Sequence, residues 1–260
     1  MKTFFESLFV AFSMYTRIPM PRVDWNKKNM RYALLFFPLV GVVIGVVLYA
    51  VFLLFSRFSA SAVFFAAVAV LCPILITGGV HLDGFCDSCD ALSSFGDREK
   101  RLSIMKDPHV GAFGVIYTCS ILLAQFGAWH QIFITSGYIV PACLSFVLSR
   151  CLAGIAIIRF EKAKNSGLAA TFSDFSAAVP SSVVLTVVAL VAALPSFLFP
   201  GLVGNFVPVS TGLLFICFYR MTMKNFGGIT GDLAGFFITL AETVSIVLSA
   251  LLGVFLHIHS

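Results

Sequence analysis

Apolar residues run in long unbroken stretches along this chain, and the polar positions gather in the connections between them. Runs of about 20 apolar residues are long enough to cross a ~30 Å hydrocarbon layer as helices. Seven are read, at 33–56, 59–77, 110–128, 137–158, 179–199, 201–219 and 233–256. They predict an all-α fold, a polytopic integral membrane helical bundle of about seven transmembrane helices. The spans use most of the 260 residues, so residues 1–260 are expected to form a single membrane domain. Ahead of the first span, Phe4, Phe5, Leu8, Phe9 and Phe12 share one helical face, with Lys2, Glu6 and Ser13 elsewhere. That pattern suits an N-terminal interfacial helix on the membrane, and equally a helix packed on the bundle. Glu6 and the lack of a small-residue cleavage pattern argue against a cleavable signal.

Composition supports the membrane reading. Apolar residues make up 59% and charged residues 11% of the chain, with mean hydropathy +1.00, against about a quarter charged in soluble domains. With the N-terminus placed in the cytoplasm, that side receives 15 of the 17 Lys and Arg, from Lys2 through Lys224; Arg57 falls opposite and Arg150 within a span. The bias predicts a multi-pass protein of the cytoplasmic (inner) membrane with its polar connections inside. The net charge of +5 then reflects orientation and an anionic substrate. No basic stripe interleaved with aromatics points to nucleic acid. The lipid bilayer is the first partner implied.

Seven cysteines form no disulfide framework: Cys72, Cys119, Cys143, Cys151 and Cys217 sit in predicted spans, where Cys behaves as a small hydrophobe. Cys86 and Cys89 form a CxxC beside His81, but no second Cys or His pair stands at a zinc-ligand spacing. They are read as small packing residues.

The unusual polar stretch is "TGGVHLDGFCDSCDAL", residues 77–92. Asp83, Asp87 and Asp90 are spaced i, i+4, i+7 and point the same way on a helix. At separations of about 6, 6 and 10 Å and an effective dielectric near 20, their repulsion is roughly 7 kcal/mol, and about 2 in bulk water. Mg²⁺ is usually held by one or two carboxylates together with substrate phosphates, so the cluster is read as a metal anchor rather than a solvated acidic face. Downstream, "GDREKRLSIMKDPHVGAFG" brings Arg98, Arg101 and Lys106 towards the same loop and adds Asp107. Carboxylates for metal followed by cations for phosphate oxygens suit displacement at phosphorus. Arg98, Glu99 and Lys100 fit a solvated turn, and Lys106 and Asp107 are the stronger site candidates. In "KNFGGITGD", 224–232, Asp232 serves either as a helix N-cap or as a further carboxylate that binds substrate. Arg150 and Glu242 lie within spans, where charges face the protein interior and mark function; the two are candidates to pair.

Together "GGVHLDGFCDSCDAL" and "REKRLSIMKDPHVGAFG" resemble the signature of the cobalamin synthase family, the adenosylcobinamide-GDP ribazoletransferases. The resemblance extends over nearly the whole chain, through "TRIPMP", Ser149–Arg150, "SGLAATF" and "GGITGD". His109 and Lys164 stand where Arg is frequent in that family. The resemblance implies a Mg²⁺-dependent membrane enzyme joining adenosylcobinamide-GDP to α-ribazole or its 5′-phosphate, with release of GMP. It implies Asp83, Asp87 and Asp90 as metal anchors, Lys106 on phosphate oxygens, Asp107 orienting Lys106 or a metal-bound water, and His81 or an aspartate as general base. Arg101, Arg150 and Asp232 are carried as substrate-binding residues. An enzyme this hydrophobic at the end of a soluble pathway is expected to contact upstream enzymes of cobalamin synthesis or a second copy of itself.

Two other readings stand beside it. A CDP-alcohol phosphatidyltransferase also sets aspartates at helical spacing near the membrane surface, but its Ala-Arg pair and later spacing are missing here. A transporter would use Arg150 and Glu242 as a midplane pair, whereas most charge lies at the rim.

Overall fold

The computed structural model describes residues 2–135, 138–163, 178–195 and 206–259. Among these residues the chain is helical, with one isolated parallel bridge between Lys162 and Ile229. The helices are α1 (Lys2–Tyr15), α2 (Lys27–Met30), a 3₁₀ turn (Ala33–Phe36), α3 (Phe37–Arg57), α4 (Ala62–Thr77), α5 (Val80–Ser93), α6 (Arg98–Ile104), α7 (Ala112–Thr135), α8 (Ile139–Arg159), α9 (Ala178–Ala193), α10 (Phe206–Phe226) and α11 (Gly231–His259).

Each of the seven apolar segments carries a helix, but they are not equal in length. Five helices are long and apolar enough to cross a membrane, and α4 with α5 makes a sixth candidate, bent by 95°. The described part of the segment at 179–199 is α9, only 16 residues, or about 24 Å at 1.5 Å per residue. The motif "SGLAATF" and Lys164 lie outside the described residues.

Helix α8 is the centre of the bundle. It is buried on nearly every side and packs against α3, α9, α10 and α11. Its neighbours bury one stripe each: in α3 the stripe is Phe37, Val40, Gly41, Ile44, Gly45, Leu48 and Phe52, the three- and four-residue spacing of a helix face. Outward positions such as Val46, Leu75, Leu123 and Leu213 are exposed and apolar, as a lipid-facing surface requires.

Small residues let the backbones approach, as is usual between membrane helices. A Cβ at Gly41 would meet the Phe146 carbonyl oxygen and lie 2.8 Å from the Val147 nitrogen; one at Gly45 would lie 3.0 Å from the Cys143 oxygen. Gly41→Ala is therefore expected to force α3 from α8 and lower stability by about 1–3 kcal/mol, read as a lower melting temperature in detergent. An unchanged melting temperature would show that the seam has room.

Helix α1 divides the two readings of its sequence between its ends. Val10, Ala11, Phe12 and Tyr15 are buried, with the Tyr15 ring 4.1 Å from that of Phe37, while Phe4 and Phe5 stay about half exposed.

One end of the bundle collects the polar connections. The Arg17 N–H donates to the Ile76 carbonyl at 2.8 Å; Ile229 N–H donates to the Glu161 carbonyl at 2.7 Å and Ala163 N–H to the Ile229 carbonyl at 3.1 Å. Arg159 reaches Ser182 Oγ at 2.6 Å. The segments after α1, α8 and α10 thus meet the ends of α4 and α9 here.

Candidate active site

The corner between α4 and α5 sets the site. Gly78 and Gly79 both take positive φ, 66° and 78°, a left-handed conformation that only glycine enters at little cost. Two in succession end α4, and α5 leaves at 95°. Its aspartates are thereby turned aside from the spanning helix instead of continuing into it.

Helix α5 lies against the first turns of α11 with almost no space between backbones. A Cβ on Gly84 would sit 2.7 Å from the Asp232 carbonyl oxygen, and one on Gly235 would sit 3.0 Å from the His81 oxygen. Phe85 stacks on Phe236 with ring centroids 5.4 Å apart, and Thr239 Oγ1 donates to the His81 carbonyl at 3.1 Å. This contact carries Asp232 to the aspartate cluster. The N-cap role goes to Thr230, whose Oγ1 accepts from Leu233 N–H at 3.2 Å.

The three aspartates of α5 have different surroundings. Asp83 is exposed, and Asp87 and Asp90 are half-buried. Burial, and then the charges of Asp83, Asp232 and Asp90, push the Asp87 carboxyl up to about 6. Asp90 instead accepts from Gly111 N–H through Oδ2 and from Gly114 N–H through Oδ1, both at 2.8 Å. That is the favoured place for a carboxylate, at a helix N-terminus whose amides lack partners, and it ties α5 to the start of α7. Cys86 and Cys89 fill the same seam: a Cβ at Gly114 would lie 2.7 Å from Cys86 Sγ, and Cys89 clusters with Phe85 and Ile121.

Among the described residues no three His, Cys, Asp or Glu side chains converge to hold a metal ion by themselves. The donor set nonetheless fits Mg²⁺. The charges that bear on Asp87 are all carboxylates, a mutual repulsion that a hard cation relieves, and Mg²⁺ characteristically takes only one or two protein carboxylates and completes its shell with water and phosphate oxygens.

Other predicted site residues are placed as follows. His81 is buried, its ring 5.7 Å from Phe37 and 6.2 Å from Tyr15. Its Nε2 has no hydrogen-bond partner, and burial, then the Arg150 charge, hold the imidazole well below its usual range. It lines a small inner cavity of about 40 Å³ with Arg150, Gln125 and Glu242, not the open pocket described below. Arg150, expected at the substrate, is fully buried: Nη1 donates to Glu242 Oε1 at 2.5 Å and to the Phe146 carbonyl at 2.8 Å, and Glu242 Oε1 also accepts from Ser149 Oγ at 2.9 Å. The expected Arg150–Glu242 pair forms inside the bundle through Nη1, while Nε has no hydrogen-bond partner among the described residues. Arg101 donates to Asn225 Oδ1, and Arg98 to the Lys224 and Met223 carbonyls at 3.3 and 3.2 Å. These two arginines join α6 to the end of α10, so Arg98 does more than solvate a turn. Lys106 and Asp107 are exposed. Asp107 Oδ1 accepts from both the N–H and Nδ1 of His109, at 2.9 and 2.8 Å; these bonds hold its carboxyl below the usual range. The partner of Asp107 here is His109, two residues on.

An open pocket of about 480 Å³ lies over the corner, lined by Arg17, Gly78, Gly79, Asp83, Cys86 and Thr118 among others. Thr118 has no sequence motif to single it out, and Arg17 stands in the "TRIPMP" match without a role assigned to it. That motif sets a charge just before two prolines, Pro19 and Pro21, which cannot continue a helix.

Fold and site together define a multi-pass membrane protein with a carboxylate-rich site at one end of a helical bundle. The chain belongs to the cobalamin-5-phosphate synthase family, whose profile matches residues 7–250. It is 40% identical over 242 residues to an adenosylcobinamide-GDP ribazoletransferase of Lachnoclostridium phytofermentans, covering 92% of this chain and 91% of the relative. A Clostridium perfringens protein of the same name is 32% identical over 248 residues, covering 95% and 98%. One from Treponema denticola is 29% identical over 266 residues, covering 96% and 100%. No solved structure matches the chain.

Proposed function

We propose that this protein is a membrane transferase that joins adenosylcobinamide-GDP to α-ribazole or its 5′-phosphate and releases GMP. The observation that carries the reading is the meeting of Asp83, Asp87 and Asp232 across the Gly84 contact, in a chain similar over more than nine-tenths of its length to relatives bearing that name. A ribose hydroxyl attacks the phosphorus on the cobinamide side. The new phosphorus–oxygen bond forms as the bond to the bridging oxygen breaks, and that electron pair leaves with GMP.

The carboxylates of Asp83 and Asp87, with Asp232 beside them, would hold Mg²⁺ together with the diphosphate. When bound, the ion would neutralise charge building on the leaving phosphate. Asp90 positions α5 against α7. The hydroxyl proton passes to a carboxylate oxygen of this cluster, because His81 is enclosed behind the corner and acts by fixing the start of α5. Lys106, exposed and five residues before the Gly111 anchor, remains available for phosphate oxygens. The basic residues of the connections gather at the site end of the bundle, which supports a cytoplasmic site in the inner membrane. The packing of the described helices around α8 supports a single membrane domain.

The test is purified protein in detergent with Mg²⁺, adenosylcobinamide-GDP and α-ribazole. Equimolar GMP and a new nucleotide-loop corrinoid are expected, and neither should form with EDTA. Absence of both products in Mg²⁺ would overturn the reading.

A further inference from the structure

The open pocket over the α4–α5 corner is lined by both a cation and a carboxylate, and the two do not pair. Arg17 and Asp83 both line it, both are exposed, and among the described residues neither side chain forms an ion pair or hydrogen bond. Opposite charges in one pocket ordinarily find each other unless something holds them apart. Here the holding is structural. Arg17 follows the buried end of α1, and its N–H is fixed to the Ile76 carbonyl at 2.8 Å. Its aliphatic stem then lies directly across Gly78, so closely that a Cβ there would sit 2.9 Å from Arg17 Cγ and 3.1 Å from Cδ. The missing side chain at 78 is the track along which the guanidinium reaches the pocket. Asp83, meanwhile, is held on α5 by the Gly84 contact with α11.

A guanidinium and a carboxylate that line one pocket of about 480 Å³ without pairing leave room for a ligand that satisfies both. A ligand carrying phosphate oxygens does so, binding the guanidinium directly and the carboxylate through a divalent cation. Arginine's planar fork suits two phosphate oxygens at once.

We propose that Arg17 is a binding residue for the diphosphate of the nucleotide-linked substrate, gripping its oxygens directly while the aspartates hold it through the cation. This rests on the ribazoletransferase reading above. The two phosphates then lie between the Gly78–Gly79 corner and α5, with the nucleoside extending out of the pocket mouth.

Binding of GDP in Mg²⁺ to the full chain in detergent, followed by isothermal titration, tests it. Arg17→Ala should weaken GDP binding by at least about tenfold, the usual scale for one charge-assisted phosphate contact. Arg17→Lys should recover only part, because an ammonium restores the charge without the fork. Gly78→Ala should reproduce much of the Arg17→Ala loss with Arg17 still present, and the KM for α-ribazole should stay within about twofold in Arg17→Lys. GDP affinity unchanged within twofold in both Arg17 variants would overturn the proposal while an active wild type kept the ribazoletransferase reading intact. A wild type that turns over but does not bind GDP would overturn it equally. A wild type that neither turns over nor binds GDP would remove the reading on which it rests.

Discussion

Asp87→Asn is expected to reduce turnover at least about a thousandfold while leaving the protein folded and no less stable. The rate estimate follows from one unit charge about 4 Å from its partner at an effective dielectric near 20, worth about 4 kcal/mol, or roughly three powers of ten. The stability half has the opposite sign to the usual buried carboxylate. Burial and three neighbouring aspartates raise the Asp87 carboxyl from 3.8 to about 6, so its ionised form is less favourable in the folded protein than in the unfolded chain. That cost is absent below about pH 4, grows as pH rises through about 6, and is fully present at pH 7. Asn removes it, so in EDTA at pH 7 the variant should melt at or above the wild-type temperature. In the wild type, half-saturating Mg²⁺ should rise as pH falls below about 6, since the cation must then displace a proton; the variant should lose that inflection. Near-normal turnover in Asp87→Asn would remove the metal-anchoring role. A marked fall in its melting temperature would show that Asp87 is a structural group.

Glu242→Gln is expected to be the most destabilising of the polar substitutions. Arg150 is entirely enclosed and Glu242 nearly so, with the guanidinium between the rings of Phe37 and Phe146, 5.9 and 6.0 Å from their centres. Removing one partner of such a pair leaves an uncompensated buried charge and costs about 3–5 kcal/mol, a loss of roughly 6–20 °C in melting temperature for a chain of this size. Replacing both partners with apolar residues, as in Arg150→Met with Glu242→Leu, should restore most of it, because no lone charge remains. If the double variant is as unstable as Glu242→Gln, the pair contributes specific structure beyond mutual neutralisation. The small cavity beside the pair also contains His81, so activity in the double variant reports whether the pair acts on α5 by position alone.

Much of the architecture is legible in the sequence because burial and lipid exposure both demand apolar residues. All seven segments carry helices, and Arg150 and Glu242 meet because two charges in adjoining spans have few alternatives. The cluster is legible only in part. The i, i+4, i+7 spacing puts three aspartates on one face of α5, but it says nothing of Gly111 and Gly114, whose amides arrive from the next helix and take both oxygens of Asp90. Nor does spacing reveal that Gly78 and Gly79 are both left-handed, which turns His81 inward and opens the pocket. Arg17 lies about 70 residues before the aspartates, and only the corner's geometry brings it into one pocket with Asp83. The substrate-binding role read for Arg150 meets a competing partner that spacing does not show: Glu242 takes its Nη1 inside the low-dielectric bundle, while Nε stays without a hydrogen bond among the described residues.

The Gly84–Asp232 contact has a consequence in time. The two sides of that contact are separated by roughly 150 residues, which a ribosome adds over about 8–30 s. Until α11 enters the bilayer, the aspartates of α5 have neither Asp232 nor the backbone of Gly235 to rest on. The proposed site is therefore incomplete until α11 has been made and inserted, and that helix completes it.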